Sequence, residues 1–350
     1  MTRKTITVIS CTAGIIILAA AVFFLYYYIT FKKPNVIQET ELFIDRSYSY
    51  ERLIDTLRSR EFLTKWKSFE RASKKIGLSH FKKGHYILKP GMNNSQIVNT
   101  LVFGWETPIK FSFRGYTKTV PRLCGVFAKT FEADSVEFAE AFLQPETIDS
   151  MGFRKETFIG MFIPDTYEMY WTSSPEKILH RMKREYDNFW NEERCLAAEK
   201  MHFDRNQVMT LASIVTGETN HVPEMATIAG VYMNRLHKGM LLQACPTVIF
   251  AHLDKEPNIR RVLKRHLTID SPYNTYKHPG LPPGPICVPT KSAIDAVLHY
   301  EKTSYLFFAA KPEFNGTHNF ASTYSEHVRN GREYTKAYLK REKEKKMNTK

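Results

Sequence analysis

No charged residue stands between Ile6 and Phe31, and the heart of that run, Ala13 to Leu25, is almost wholly apolar. The run exceeds the roughly 20 residues an α-helix needs to cross the hydrocarbon core of a bilayer. Tyr26, Tyr27 and Tyr28 follow where an interfacial aromatic belt belongs, and Lys32 and Lys33 come next. A cleaved signal peptide has a shorter apolar region closed by small residues, whereas bulky aromatics close this one, so the segment reads as a retained single-pass anchor. Arg3 and Lys4 on one side nearly balance Lys32 and Lys33 on the other, and the positive-inside count does not orient it.

Val8-Ile-Ser-Cys11 has the letters of a lipoprotein box, but the long apolar stretch follows it instead of preceding it, and Cys11 reads as an ordinary membrane residue. Cys124, Cys195, Cys245 and Cys287 are widely spaced without paired zinc spacing, so no metal and no cofactor are expected, and no disulfide can be assigned. The remaining chain is long and apolar enough to bury a full core in one to three domains. A net charge of +14 predicts attraction to an anionic partner, whether nucleic acid, a phospholipid surface or an acidic polymer. No basic-aromatic module appears, so nucleic acid is not expected. The charged run Lys340 to Lys346 reads as a solvated, frayed terminus.

These features divide the chain into a short N-terminal segment (1–5), the membrane helix (6–31), a linker (32–46), a first soluble region (47–155), a second (156–342) and a basic tail (343–350). In the first region, Tyr48 to Arg58 and Glu61 to Ile76 have helical periodicity, and Gly84 to Gly91 reads as a strand leaving into a turn. Asn93 or Asn94 can cap a helix through Ile97, Val98 and Leu101 that stops at Gly104. Pro108 to Arg114 reads as a strand, and Phe162 to Tyr167 as a turn before a basic helix through Ile178, Met182 and Tyr186.

In the second region, a helix starting near Asp204 or Asn206 carries Leu211, Ile214 and Val215, with Glu218 on or beside the same stripe. Burial and the negative end of the helix dipole both disfavour the ionised carboxylate, so its pKa is expected to rise. A raised carboxyl pKa suits a general acid working near neutral pH. Pro223 opens a second helix that Gly239 closes, with Met225, Ile228, Ala229, Tyr232, Met233 and Leu236 on its core face. Glu224, in that helix's first turn, reads as a structural partner of the dipole. Downstream, Gln243 to Thr247, Ser271 to Tyr276 and Gly280 to Ile286 are rich in turn formers, yet carry the amide, hydroxyl and aromatic groups that hold sugar rings.

Ser213-Ile-Val, Glu218-Thr219, Asn234-Arg235-Leu236, Gly239 to Gln243, Pro246-Thr247, Tyr273 to Tyr276, Gly280 to Ile286 and Gly316 to Phe320 occur in the order and spacing of the endolytic murein transglycosylase (YceG-like) family. The chain resembles that family from the anchor to about residue 342, including Pro164 to Tyr167. The strand, turn and helix around residues 84–104 resemble half of a LysM-type glycan-binding module, with a plain α+β packing unit as the alternative. The fold this implies is α+β: a single transmembrane helix, a LysM-like α/β subdomain, then a mixed α+β catalytic domain.

The resemblance implies internal cleavage of peptidoglycan glycan strands with Glu218 as the catalytic residue. Gln243, Asn274, Thr275 and Tyr276, with Thr247 and Asn234, are the implied candidates for holding substrate or orienting the acid. Asn234 and Arg235 can equally cap and pair at the end of their helix. His318 and His327 match family positions and read as structural hydrogen-bonding groups. The family often has Asp before the Pro-Thr pair where this chain has Cys245, which reads as a small buried residue. The family further implies a place in the cytoplasmic (inner) membrane with the N-terminus inside and the catalytic domain outside, and contact with penicillin-binding proteins. A hydrolase of the same bond and a noncatalytic glycan-binding scaffold remain open as alternatives.

Overall fold

The apolar run folds as helix α1 (Arg3–Tyr27) in the computed structural model, which describes residues 3–259 and 261–348. Met1 and Thr2 of the expected N-terminal segment, and Thr349 and Lys350 of the basic tail, lie outside the described residues. From Ser10 to Lys32 the helix is long and apolar enough to cross a membrane, and Ile15, Ile16, Ile17, Leu18, Phe23 and Phe24 are exposed along it. It widens at its end into a π-helical turn, Tyr28–Lys32, closed by Lys33 N donating to Tyr28 O at 2.8 Å.

Carbonyls in such a turn are left for other donors. Ser68 Oγ donates to Ile29 O at 2.9 Å, and Asn94 Nδ2 donates to Thr30 O at 2.8 Å. Asn94 Oδ1 in turn accepts from Asn35 Nδ2 at 2.7 Å, and Asn35 Oδ1 accepts from the Lys65 N–H at 2.7 Å. Asn35, Ser68 and Asn94 are all buried, so this is a satisfied polar network joining the end of the membrane helix to the soluble chain beyond it.

The structure corrects the expected linker at 32–46. Its second half is strand β1 (Thr40–Ile44), with Thr40, Leu42 and Ile44 inward, paired antiparallel with β2 (Gly84–Leu88) in the register Thr40↔Leu88 to Ile44↔Gly84. Between them run α2 (Tyr50–Ser59) and α3 (Trp66–Ile76), and α4 (Asn94–Phe103) follows. Asn93 caps α4 with a full capping box, and Gly104 ends it at φ +70°. Leu42, Ile44, Leu53, Leu57, Phe69 and Leu101 form the core of this unit with Tyr86.

The chain divides into two compact units, and the expected boundary near residue 156 falls inside the second. The first unit ends at Phe111 but regains Tyr167–Ser173; the second comprises Ser112–Thr166 and everything from Ser174 onward. The reason is a strand pair that no local pattern reveals: β3 (Ile109–Ser112) pairs with β4 (Thr166–Met169), where the local pattern suggests only a turn.

In the second unit, α5 (Val120–Ala128), α6 (Ser135–Phe142), α7 (Pro145–Ser150), α8 (Pro175–Phe189) and α9 (Glu192–Lys200) precede the site. Phenylalanines cluster among them: Phe127 lies 5.4 Å from Phe138, and Phe142 lies 5.8 Å from Phe162, between ring centroids. Helix α10 (Arg205–Glu218), capped by Asp204 with a capping box, buries every residue from Val208 to Thr216. It packs against α11 (Val222–His237), α12 (Cys245–Ala251) and α13 (Lys291–Leu298). A hairpin, β5 (Phe307–Ala310) with β6 (His318–Ala321), and the long α14 (Tyr324–Asn348) complete the unit. The tail expected to fray is helical through Asn348: Tyr334 packs on Phe314 at 5.5 Å, and Arg261 covers the Tyr338 ring at 5.3 Å.

One helical glycine decides how closely α11 meets its neighbours. A Cβ at Gly230 would overlap the Glu301 carbonyl oxygen. Gly→Ala inside a helix ordinarily stabilises by about 0.5–1 kcal/mol. Here the overlap should reverse the sign, and Gly230→Ala is expected to destabilise by about 1–3 kcal/mol, read as a lower melting temperature; a rise would show that the contact yields without cost.

Candidate active site

Helix α10 ends on Gly217 and Glu218 against the first turn of α12. A Cβ at Gly217 would stand 2.7 Å from Pro246 Cβ, so only glycine lets the helix end this close to that loop. Thr219 leaves the helix in extended conformation, and its Oγ1 accepts from the His221 N–H at 2.9 Å, starting the short connection into α11. The connection turns the chain back so that Tyr232 of α11 reaches the acid.

Tyr232 Oη donates to Glu218 Oε1 at 2.6 Å. Tyr232 is buried, and its ring meets Phe308 of β5 edge-on at 5.9 Å. Glu218 itself is half-buried: protein surrounds the carboxyl while part of the side chain still meets open space. The exclusion of water pushes its pKa up to about 7, against the opposing pull of the Tyr232 hydrogen bond. Burial and the adjoining Glu218 carboxylate hold the Tyr232 phenol well above its ordinary value, so it remains a donor.

Glu218 is a wall shared by two cavities. One, of about 790 Å³, is lined by Tyr116, Asn220, His221, Lys311, Asn315 and His318 among others. The second, of about 190 Å³, is lined by Tyr232, Arg235, Gln243, Cys245, Tyr276 and His327 with Leu242 and Phe308. Among the described residues lining either cavity, Glu218 is the only carboxylate. An acid with a near-neutral pKa and polar and aromatic walls on both sides suits proton transfer with a bound ligand.

The candidate residues divide sharply. Gln243 and Tyr276 line the small cavity: Gln243 sits at φ +54° with its N–H donating to Thr275 O, and its Oε1 accepts from Arg235 Nη1 at 3.2 Å. Tyr276 Oη lies 3.3 Å from Cys245 Sγ. Cys245 is exposed on the cavity wall, which corrects its reading as a buried residue; α12 begins there, turning the side chain out while Pro246, Thr247 and Val248 pack inward. Cys11, Cys124, Cys195, Cys245 and Cys287 are all free thiols.

Asn274, Thr275 and Thr247 lie beneath the wall, not on it. Asn274 Nδ2 donates to Leu267 O and Ile269 O at 2.9 and 2.8 Å, while its Oδ1 accepts from the Tyr276 N–H. Thr247 and Thr275 join hydroxyls at 2.8 Å, and Thr275 Oγ1 also accepts from the Ala244 N–H. Asn234 ties α11 to the Thr303 and Tyr305 carbonyls at 2.8 and 2.9 Å. Asn274, Thr275 and Thr247 shape the loops that carry Gln243 and Tyr276, while Asn234 anchors the segment leading into β5.

Three residues take roles around the site that the sequence does not mark. Tyr232 is legible there only as a core residue of its helix. Arg235 does more than cap: Nε donates to Leu306 O at 2.6 Å, and Nη1 donates to Leu241 O and Leu242 O at 3.0 Å. Glu224 does more than face a dipole, accepting from the His318 N–H at 3.0 Å and pairing with His318 Nδ1 at 2.9 Å. His318 thus fills the structural role expected of it. His327 does not: its Nδ1 is buried without a partner, and its ring stacks on Phe307 at 5.2 Å.

A half-buried acid stands at the end of a buried helix, backed by a phenol and opening on two cavities. The profile of the YceG-like family matches residues 42–333, and the chain belongs to that family. It is 31% identical over 302 residues to the endolytic murein transglycosylase of Bacillus subtilis (strain 168), covering 80% of each chain. It is 27% identical over 291 residues to the protein of the same name from Streptococcus pneumoniae serotype 2, covering 74% of this chain but only 51% of that one. The fold is similar to the 2.6 Å crystal structure of a YceG-like protein from Listeria monocytogenes, with a TM-score of 0.57 and 27% identity over 83% of this chain and 98% of that one.

The raised pKa has a consequence for stability. The folded state holds the Glu218 proton more tightly than the unfolded chain, whose ordinary value is 4.5, so the associated stability is complete below about pH 4.5 and lost as pH rises through about 7. Glu218→Gln cannot ionise, and its melting temperature should fall less than that of the wild type over this range. Parallel losses in both proteins would show that Glu218 titrates normally.

Proposed function

We propose that this protein is a membrane-anchored endolytic lytic transglycosylase of peptidoglycan, with Glu218 as general acid and then general base. The observation that carries the reading is the carboxyl of Glu218, held near neutral pKa on the wall of two cavities. Family membership and relatives named endolytic murein transglycosylase support the substrate.

In this mechanism the protonated Glu218 gives its proton to the oxygen bridging N-acetylmuramic acid to N-acetylglucosamine as the C1–O bond breaks. Positive charge develops at C1 in an oxocarbenium-like state. The muramoyl C6 hydroxyl attacks C1, and its proton passes to the Glu218 carboxylate, closing a 1,6-anhydro ring and restoring the acid without consuming water. A glycosidase that uses water or an enzyme nucleophile needs a second carboxylate. That none lines either cavity among the described residues supports the internal nucleophile. In this reading Gln243 and Tyr276, on the small cavity's wall, touch substrate, Thr247, Asn274 and Thr275 position their loops, and Asn234 supports the segment before β5.

The order β1, α2, α3, β2 with antiparallel strands supports reading the first unit as a LysM-like glycan-binding module. The membrane helix supports attachment to the cytoplasmic (inner) membrane, N-terminus inside and both units outside, where they would meet nascent glycan and the penicillin-binding proteins that make it. Such an enzyme would act in wall assembly by ending the elongation of strands.

Mass spectrometry of peptidoglycan digested by the full-length protein in detergent tests the chemistry. Anhydromuramoyl ends are expected, and reducing muramoyl ends would establish the hydrolase instead. Glu218→Gln should lower the cleavage rate by about 10²–10⁴-fold, the span of general acid catalysis. Unchanged cleavage would remove Glu218 from the mechanism, and absence of cleavage by the wild type would leave a scaffold. Tyr232→Phe deletes a hydrogen bond that lowers the acid's pKa, so the alkaline limb of the pH–rate profile should move to higher pH; a shift to lower pH would contradict the assignment.

A further inference from the structure

Bulky side chains seldom occupy the left-handed region of φ, because the Cβ crowds the backbone there. In the second unit Tyr116 at φ +74°, Gln243 at +54° and Phe314 at +55° do so on the walls of the two cavities that share Glu218. Among the described residues of that unit, only His202 is a further non-glycine residue with positive φ. The Phe314 ring is engaged by Tyr334 at 5.5 Å and by Arg341 at 4.9 Å. Tyr116 is different: it is 49% exposed, and among the described residues only Lys118, 5.3 Å from the ring centroid, stacks on it. Its backbone is nonetheless held firmly. The Tyr116 N–H donates to Val288 O at 2.7 Å, and Thr117 O accepts from the Val288 N–H at 2.8 Å. A Cβ at Gly115 would stand 2.7 Å from Thr290 Cγ2 and 3.2 Å from Thr290 N. The Thr290 N–H donates to Thr216 Oγ1 of α10, so one segment sets both Tyr116 and the helix that ends on Glu218. A half-exposed ring returns little burial for its strained backbone, and strain of this kind persists where a side chain serves a ligand.

We propose that Tyr116 is a substrate-binding residue whose ring is the platform for one pyranose ring of the glycan strand in the large cavity. The inference rests on the glycan-cleaving reading of the site and adds a residue that none of the loop motifs marks. A pyranose chair presents a face of C–H groups, which the electron-rich face of an aromatic ring attracts, and a rim of hydroxyl and amide groups that need polar partners. The cavity offers both, with the exposed Tyr116 ring on one part of its wall and Asn220, His221 and Asn315 on others. Its volume of about 790 Å³ lies within the range of about 300–1,000 Å³ of ligand pockets. A cationic group on the same ring would meet the charges of Lys118 and Lys311. Burial first, then the nearby Cys287 and Glu218, push the Tyr116 phenol above its ordinary value, so the ring is uncharged at neutral pH. The face of the ring, not its hydroxyl, makes this contact.

The test uses the full-length protein in detergent and uncross-linked peptidoglycan strands. Turnover is read in single variants of Tyr116, and binding in the same variants carrying Glu218→Gln. Tyr116→Ala should raise KM, and Kd in the Glu218→Gln background, by about 2–10-fold, the worth of one aromatic contact, with kcat little changed. Tyr116→Phe, which keeps the ring, should recover most of that loss. Tyr116→Gly takes the left-handed conformation without a Cβ, so it should melt above Tyr116→Ala while sharing its raised KM. That combination separates a ring kept for a ligand from one kept for the fold. Unchanged KM and Kd in Tyr116→Ala, a loss in Tyr116→Phe equal to that in Tyr116→Ala, or Tyr116→Gly melting below Tyr116→Ala would each overturn the proposal. Wild-type cleavage that Glu218→Gln abolishes, with a KM indifferent to Tyr116, would retain the catalytic reading and remove this one. Binding that depends on the Tyr116 ring, without cleavage by the wild type, would do the reverse.

Discussion

The second unit is organised around one costly placement: a carboxyl at the end of a helix that is buried along most of its length. From Val208 to Thr216 the helix has no exposed face, so it must be packed on all sides by other elements. Gly217 permits the close approach of Pro246, Ser213 Oγ accepts the Ile286 N–H at 2.9 Å, and Thr216 Oγ1 accepts the Thr290 N–H at 3.1 Å. These contacts pin two separate segments, the start of α12 and the stretch 286–290 before α13, to one helix and fix where Glu218 emerges. Water is kept from enough of the carboxyl to favour its protonated form, and the Tyr232 hydroxyl tempers that preference without reversing it. A carboxyl with a pKa near neutrality is one that can give and retake a proton at neutral pH.

A second constraint acts at the end of the apolar helix α1. A flexible tether would let the first unit wander, but the π-helical turn at Tyr28–Lys32 hands its carbonyls to Ser68 and Asn94 inside a buried network. The end of the membrane helix is thus part of the first unit's fold. Ordering of this kind fixes how the end of that helix meets the first unit's core.

Much of this is legible in the chain because local chemistry writes it plainly. The apolar run, the Asn93 and Asp204 caps, the Gly104 and Gly239 stops and the awkward position of Glu218 all follow from short-range rules. The features that escape the sequence depend on distant pairing. β1 is a five-residue strand whose partner lies beyond two helices, and β3 and β4 meet across an intervening subdomain, so neither the strand inside the expected linker nor the division at Phe111 is visible locally. In the site, the loop motifs draw notice to Asn274, Thr275 and Thr247, which hold the wall from behind. Tyr232, which bonds the carboxyl, and Arg235, which shares the small cavity with it, resemble core and cap because their tips are invisible to helical periodicity. Cys245 looks buried until it is known that a helix starts at it.

The central claim is that Glu218 is a protonated acid near neutral pH, and direct titration of its carboxyl tests it most closely. Infrared difference spectra of the full-length protein, wild type against Glu218→Gln, isolate the carboxylic C=O stretch of this one residue as pH is raised. A band lost with a midpoint near 7 is the result this account predicts. A midpoint near the ordinary value of 4.5 would contradict it.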